Sequence, residues 1–437
     1  MTPVRIGLLG FGTVGYGTWS VLTRNCDEIE RRIGRRFEVS HVVVKDVSKP
    51  RAADASELHF TDNPSTVIDN PDIDIVIELM GGTSPAYEYI DRALTNGKHI
   101  VTANKELIAL RGNELFETAK KSDKIVAFEA SVCGGIPIIK AVREGFAANR
   151  ISSLVGIING TCNYILSDMK DLKLSFNDVL EKAQELGYAE ADPTFDVEGI
   201  DAMHKLVILA SIAFGIPLQK LESIHCEGIR TITYDDIVYA DELGFTIKHL
   251  AIARRIDSGI EMRVHPSLVS KQRLLASVNG VMNAVAVSGD AIGRALFYGP
   301  GAGSEPTASA VIADLVDVAR AMNGSVNTSV PHLSFQYDQL KSLPIIPFDQ
   351  IETANYLRMS ALNQAGVLAE VTRILGDHEI SIESILQKSS GHHEEVLPVV
   401  IVTQETLEEN MQNALEELQV LDTVIGEINR IRIEALA

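Results

Sequence analysis

A chain of 437 residues is too long for one core and, at about 150 residues per domain, implies about three domains. Hydrophobic residues make up 46% of it and charged residues 22%, which excludes a disordered or fibrous chain. The formal charge of −20 argues against nucleic acid and anionic membrane surfaces as partners, while leaving room for a local basic patch that holds one anionic cofactor.

In chain order, Val4 to Leu9 is a short apolar run that ends in Gly10-Phe-Gly12-Thr-Val-Gly15, followed by an amphipathic stretch through Leu22. This predicts strand, glycine turn, helix. Further strands are expected at Phe37 to Val44, Ile73 to Leu79 and Lys98 to Thr102, with helical patterns between them. Strands alternating with helices imply a parallel, doubly wound sheet. From Ile125 the pattern changes: a Gly/Pro-punctuated stretch, Ser131-Val-Cys-Gly134-Gly135-Ile-Pro137, leads into long helical segments and strands as far as Pro306. A helix from Thr307 to Met322 is expected to return to the first domain. The last ~85 residues, a domain of ordinary size, repeat strand, helix, strand, strand, helix, strand. Their strands are expected at Tyr356 to Leu362, Ile380 to Gln387, Val396 to Thr403 and Arg430 to Ala435. Val367, Leu368, Val371, Ile374 and Leu375 share one face of the first of these helices, and a second helix spans Thr406 to Val420. The pattern is that of a split βαβ module compact enough to fold separately.

The glycine fingerprint gains weight from its context. Gly10 can make the turn, Gly12 can let a pyrophosphate approach the backbone, and Gly15 can let helix pack on strand. Exposed N–H groups and the helix dipole then attract the phosphates. After the second strand, Lys45, Lys49 and Arg51 place three cations within seven residues and favour NADP, while Asp46 keeps NAD open as a second cofactor.

Three later segments are more specific: Thr102-Ala-Asn-Lys105, Gly156-Ile-Ile-Asn-Gly160-Thr-Cys-Asn-Tyr164, and Gly187-Tyr-Ala-Glu190-Ala-Asp-Pro193 running on to Gly199-Ile-Asp201-Ala-Met-His-Lys205. As an ordered set from the glycine turn to Asn323 they resemble homoserine dehydrogenase, and Asn363-Gln-Ala-Gly366-Val-Leu resembles the ACT amino-acid-binding domain. The resemblance implies an α/β protein. It has a Rossmann-type doubly wound domain (1–130, with a return helix 307–323), an α+β substrate-binding, catalytic and dimerisation domain (131–306), a linker (324–352) and a ferredoxin-like ACT domain (353–437).

The implied reaction is reversible hydride transfer between NADP(H) and the aldehyde carbon of L-aspartate 4-semialdehyde, giving L-homoserine on the route to threonine, methionine and isoleucine. Charge that develops on the aldehyde oxygen needs a nearby proton donor or cation, and the substrate ammonium needs carboxylates. Asp201 and Lys205, four apart in a helical stretch, share one face. The resemblance makes Lys205 the proton donor, Asp201 and Glu190 substrate contacts, and Lys105 a cofactor or substrate contact with a part in proton transfer. An exposed i,i+4 salt bridge is the plainer reading of the Asp201/Lys205 pair.

By the same resemblance, Gly10, Phe11, Gly12, Thr13, Val14, Gly15, Lys45, Thr83, Ser84, Gly187 and Gly303 touch the cofactor. A sodium-type cation is held by Glu129 and backbone oxygens of Val132, Gly134 and Ile136. The C-terminal module binds an amino-acid effector, with threonine inhibition expected, and the chain forms a homo-oligomer, dimer or tetramer.

Two rival readings are an aspartate-semialdehyde dehydrogenase-like enzyme that uses Cys133 as nucleophile, and a metabolite sensor without turnover. Cys26, Cys133, Cys162 and Cys226 are widely spaced without a C-x-x-C pair, so reduced thiols are expected rather than disulfides or zinc. No basic flank leads into an apolar signal core and no segment reaches the ~18 apolar residues of a membrane span, so a cytoplasmic location is expected. With the fingerprint beginning at residue 10, a fused kinase ahead of it is not expected.

Overall fold

The computed structural model of the protein describes residues 2–322, 330–388 and 395–435. Residues 323–329 of the expected linker, with the end of the expected return helix, lie outside that set, as do 389–394 and 436–437. Contacts divide the chain into two compact units, one of residues 1–154, 204–221 and 283–343, the other of 155–203, 222–282 and 344–437.

The first unit opens with β1 (Val4–Leu9), α1 (Thr13–Arg24), α2 (Cys26–Ile33), β2 (Phe37–Val43), β3 (Phe60–Thr61), α3 (Ser65–Ile68) and β4 (Ile75–Glu78). It continues with α4 (Ala86–Thr95), β5 (His99–Thr102), α5 (Lys105–Lys121), β6 (Val126–Ala127) and the short α6 (Ile138–Lys140). The strands form one sheet, β3-β2-β1-β4-β5-β6, with every neighbouring pair parallel. The strand order reverses between β1 and β4, the place where open α/β sheets bind ligands at their carboxyl ends. The sequence predicts four of these six strands. The other two, β3 and β6, are two residues each, too short to leave an apolar run.

The chain then runs through β7 (Ile151–Ile157), α7 (Gly160–Leu172), α8 (Phe176–Glu185), α9 (Thr194–Val197), α10 (Ile200–Phe214), β8 (His225–Cys226), α11 (Tyr234–Glu242), β9 (Phe245–Ile256) and β10 (Gly259–Ser270). After β11 (Met282–Gly289) and β12 (Gly293–Pro300), α12 (Ser304–Ala321) packs in the nucleotide-fold core. There Ala308, Val311 and Leu315 share a cluster with Ile6, Leu8, Ile77 and Val101. A Cβ on Gly17 would stand 2.4 Å from Ser304 Oγ, so α1 and α12 touch backbone to backbone.

The remaining elements belong to the second unit: β13 (Glu352–Leu362), α13 (Val367–Asp377), β14 (Ile382–Gln387), β15 (Val396–Thr403), β16 (Thr406–Leu407), α14 (Glu408–Gln419) and β17 (Val424–Glu434). The last strand begins six residues before the expected Arg430 and, besides pairing with β13, runs parallel to β10 from Ser267↔Arg432 to Val269↔Glu434. Strands β14-β15-β13-β17-β10-β9 are therefore continuous. Tyr356, Val400 and Ile431 pack in one core with Ile165, Val179 and Leu268. The C-terminal module is built into the sheet beside it. Its own helices close a second core over Val367, Val371, Ile374 and Leu375, the face expected from the sequence, with Leu368 partly buried against it.

Candidate active site

The glycine turn joins β1 to α1 as predicted. Gly10 has φ +98°, and a Cβ there would meet Leu79 O at 2.7 Å. At Gly12 a Cβ would meet nothing within 4 Å, so the space an approaching phosphate would use is open. At Gly15 a Cβ would stand 2.5 Å from Gly10 O, so this glycine lets the helix fold back on the turn itself. No side chain caps α1 and no acid lies in its first turn, leaving the N–H groups around Thr13 and Val14 free to face an anion. Phe11 packs edge-on against Phe60, 5.1 Å between centroids.

Beyond β2 the turn of residues 45–51 is ordered by its own side chains. The Asp46 carboxylate accepts from Ser48 N (2.8 Å) and Ser48 Oγ (2.6 Å), bonds that hold it below the usual carboxylate range. Arg51 donates to the carbonyls of Asp46, Val47 and Lys49 and lies 4.4 Å over the Phe60 ring. Lys45 is exposed and makes no ion pair among the described residues.

A buried carboxylate that sequence reasoning missed organises the next two strand ends. Glu78, the last residue of β4, accepts from Met80 N, Gly81 N and Thr102 Oγ1, the last at 2.7 Å. Thr102 in turn accepts from Asn104 N, and Asn104 both caps α5 through Leu107 N (3.0 Å) and donates from Nδ2 to Gly82 O (2.7 Å). The Thr-Ala-Asn-Lys segment is thus a clamp that ties the loop carrying Thr83 and Ser84 to the start of α5, where Lys105 is the first helical residue. The signal for Glu78 was a lone acid inside an apolar run, which is expensive to bury unless hydrogen-bonded.

Glu129 is 3% exposed, and its two oxygens accept from Ile139 N (2.9 Å) and Lys140 N (2.8 Å). Burial pushes its carboxyl up to about 7, against the pull of the Lys140 amide and of Arg143. Its own amide donates to the buried Asp314 on α12, whose acid burial holds well above its usual range. The loop of Val132, Gly134 and Ile136 is buried beside it. A Cβ on Gly134 would meet Gly301 O and Thr307 Oγ1 at 3.0 Å, so the loop lies against the turn that carries Gly303, the residue capping α12. Ile136 O already accepts from Ile138 N. Cys133, the nucleophile of the rival reading, is 1% exposed with Sγ facing the Asn283 amide at 3.5 Å. Such a buried thiol lacks the accessible setting that reactive cysteines need.

In the second unit, Asn159 at the start of α7 links two acids. Its Nδ2 donates to Asp196 (2.8 Å) and to Asp201 (2.9 Å), while its Oδ1 caps the helix through Cys162 N. Asp201 is 3% exposed in the first turn of α10. Lys205, one turn further along the same helix and within the stretch 204–221 of the first unit, is half-buried and precedes a run from Leu206 to Ala210 that is fully buried. Gly187 has φ +74° after α8, and Glu190 is exposed in the following loop, which Gln184 Nε2 holds through Glu190 O at 3.0 Å. Among the described residues no group of three or more His, Cys, Asp and Glu side chains is placed to hold a metal ion, and no helix is long and apolar enough to cross a membrane.

Comparison with known proteins gives these features a family. The profile described as "Homoserine dehydrogenase, NAD binding domain" matches residues 10–129, that described as "Homoserine dehydrogenase" matches 137–316, and that described as "ACT domain" matches 355–420. The homoserine dehydrogenase of Pseudomonas aeruginosa is 54% identical over 100% of both chains, and that of Bacillus subtilis 40% identical over 99% of both. A crystal structure of a homoserine dehydrogenase from Thiobacillus denitrificans superposes with TM-score 0.94 at 54% identity, covering 100% of this chain and 99% of that one. A hyperthermophilic archaeal homoserine dehydrogenase in complex with NADPH superposes with TM-score 0.62 at 26% identity over 72% of this chain and 98% of its own. The chain belongs to the homoserine dehydrogenases, nicotinamide-dependent oxidoreductases that act on a CH–OH group, and carries a C-terminal ACT domain.

Proposed function

We propose that this enzyme interconverts L-aspartate 4-semialdehyde and L-homoserine with NADP(H) as preferred cofactor, using α10 to bind substrate at one turn and move a proton at the next. The arrangement that carries this reading is Asp201, fixed by Asn159 at the helix start, with Lys205 four residues on. When bound, the nicotinamide supplies or accepts the hydride. Asp201 and Glu190 receive the substrate ammonium. In reduction, Lys205 Nζ gives a proton to the oxygen as charge builds there; in oxidation, neutral Lys205 takes the hydroxyl proton. Lys105, at the carboxyl end of β5, contacts cofactor or substrate and assists the proton transfer. Gly10 to Gly15 cradle the pyrophosphate, and Thr83, Ser84, Gly187 and Gly303 add contacts. Because alanine at Gly15 would collide with the turn, Gly15→Ala is expected to weaken NADPH binding at least about tenfold in a fluorescence titration.

The NADP preference is supported by Lys45, which stands open, and by Asp46, which is engaged by Ser48 and so less disposed to accept ribose hydroxyls. Arg51 adds a cation to the same turn. Glu129 with the carbonyls of Val132, Gly134 and Ile136 fits a hard monovalent cation such as sodium, because such an ion takes oxygen ligands and a buried carboxylate lies beside the buried loop. Sodium is then expected to raise the melting temperature of the protein and to have no such effect on Glu129→Gln.

For regulation, a cavity of about 250 Å³ lined by Asn363, Gln364, Gly366 and Leu368 suits a small effector, with threonine the expected ligand and inhibition the outcome. The domain limits 1–130, 131–306 and 353–437, a cytoplasmic location and a homo-oligomer, dimer or tetramer, complete the proposal. Initial rates with L-homoserine, comparing NADP with NAD and adding threonine, test it: faster turnover with NADP and loss of rate with threonine are expected. Preference for NAD, or indifference to threonine, would refute the corresponding part.

A further inference from the structure

We propose that Arg432, in the C-terminal module, is a positioning residue for the substrate end of α10, acting through Glu227 and the segment 225–230. The proposal rests on the reading of Asp201 as a substrate contact. Arg432 sits where β17 pairs with β10, and its side chain is 4% exposed. Nη1 donates to Glu227 Oε2 at 2.8 Å, while Nε and Nη2 donate to Glu408 at the start of α14 (3.1 and 2.7 Å). The other Glu227 oxygen lies 2.7 Å from His225 Nε2, and Phe348 stacks on His225 at 3.4 Å and under the Arg432 guanidinium at 4.7 Å. Although burial works the other way, His225 and Arg432 hold the Glu227 carboxyl well below its usual range. Both oxygens of Glu227 are therefore fixed.

What Glu227 fixes is a cradle for the residues just ahead of α10. Ile229 N donates to Val197 O at 2.9 Å, Cys226 Sγ to Glu198 O at 3.3 Å, and Arg230 pairs with the Glu198 side chain. The approach is so close that a Cβ on Gly228 would stand 2.2 Å from Val197 O. Gly199 follows with φ +84°; a Cβ there would be 3.0 Å from Cys226 Sγ and 3.1 Å from the His249 ring, whose Nε2 bonds Glu227 O at 2.9 Å. Asp201 comes two residues later.

On the side of the C-terminal module this cradle faces a cleft of about 900 Å³ bordered by Glu198, Arg230, Glu409, Gln412 and Arg430. With open space there, the charged contacts of Glu227 and the stack of Phe348 on His225 hold the segment from that side, while the pairing of His225 and Cys226 with Arg263 and Val264 holds it from β10. A small displacement of a binding group is costly to function even when its cause is distant.

The experiment uses the full-length enzyme and reads two Michaelis constants. Asp201→Asn comes first: if it leaves the KM for L-homoserine unchanged, the reading of Asp201 fails and the proposal with it. Given that rise, Arg432→Met is expected to raise the homoserine KM about tenfold with the KM for NADP and kcat little changed. Arg432→Lys, which keeps the charge toward Glu227, is expected to recover part of the loss. A homoserine KM within about twofold of the parent, or both Michaelis constants rising together as general loosening would cause, overturns the proposal. If Arg432→Met does not fold, Glu227→Gln keeps the shape while removing the charge and one of the two acceptor oxygens; a homoserine-specific rise of about threefold is then expected, and no change overturns it.

Discussion

Lys205→Ala is expected to lower kcat for L-homoserine oxidation by about 10²- to 10⁴-fold, the range general acid–base groups contribute, with NADPH binding unchanged. The proposed nucleotide contacts, Gly10 to Gly15, Lys45, Thr83, Ser84, Lys105, Gly187 and Gly303, do not include Lys205. A loss confined to kcat would mark an interaction made in the transition state, whereas a rise in KM alone would mark a binding role. Stopped-flow rates of NADPH formation at saturating substrate separate the two.

The second large effect is on stability. Glu434, at the end of β17, has a side chain 1% exposed that pairs with Arg254 at 2.6 Å and with Arg263, which is 0% exposed. Glu261 is a second partner of Arg263 at 2.6 Å, and Arg263 Nη2 already lacks a hydrogen-bond acceptor. Glu434→Ala therefore leaves a buried guanidinium short of charge, a change that costs about 3–5 kcal/mol. A fall in melting temperature on the order of 10 °C is expected by calorimetry. Truncation ahead of Glu352 would strip β17 from β10 as well, so it is expected to unfold the second unit rather than report cleanly on regulation. Point variants around Asn363 are the better probe of effector binding.

Much of this architecture is legible in local sequence. Val4 to Leu9 and the three glycines announce strand, turn and helix because the period and the fingerprint coincide within a few residues, and the C-terminal helix face is readable from Val367 to Leu375 for the same reason. What local patterns cannot carry is pairing across long separations. Alternation of Glu261, Arg263, His265 and Ser267 reads as the polar face of a half-exposed strand, yet every residue of β10 up to Val269 is buried. Its Arg263 is met by Glu434, 171 residues away, and the parallel pairing of Ser267 to Val269 with β17 has no local signature.

The candidate active site divides in the same way. Residue types at fixed spacing, such as Asp201 with Lys205 and the glycines, are visible in the sequence, while the groups that orient them are not. Asn159 reaches Asp201 from 42 residues upstream, and Glu78 reaches Thr102 across neighbouring strands. Both are polar residues whose role exists only once the sheet or helix pair has formed.

The division of labour along α10 is tested most directly by calorimetric titration of L-homoserine into Asp201→Asn and Lys205→Ala proteins saturated with NADP. Homoserine binding is predicted to weaken sharply in Asp201→Asn and to persist in Lys205→Ala, which turns over little. Loss of binding in Lys205→Ala with normal binding in Asp201→Asn would contradict the assignment of both residues.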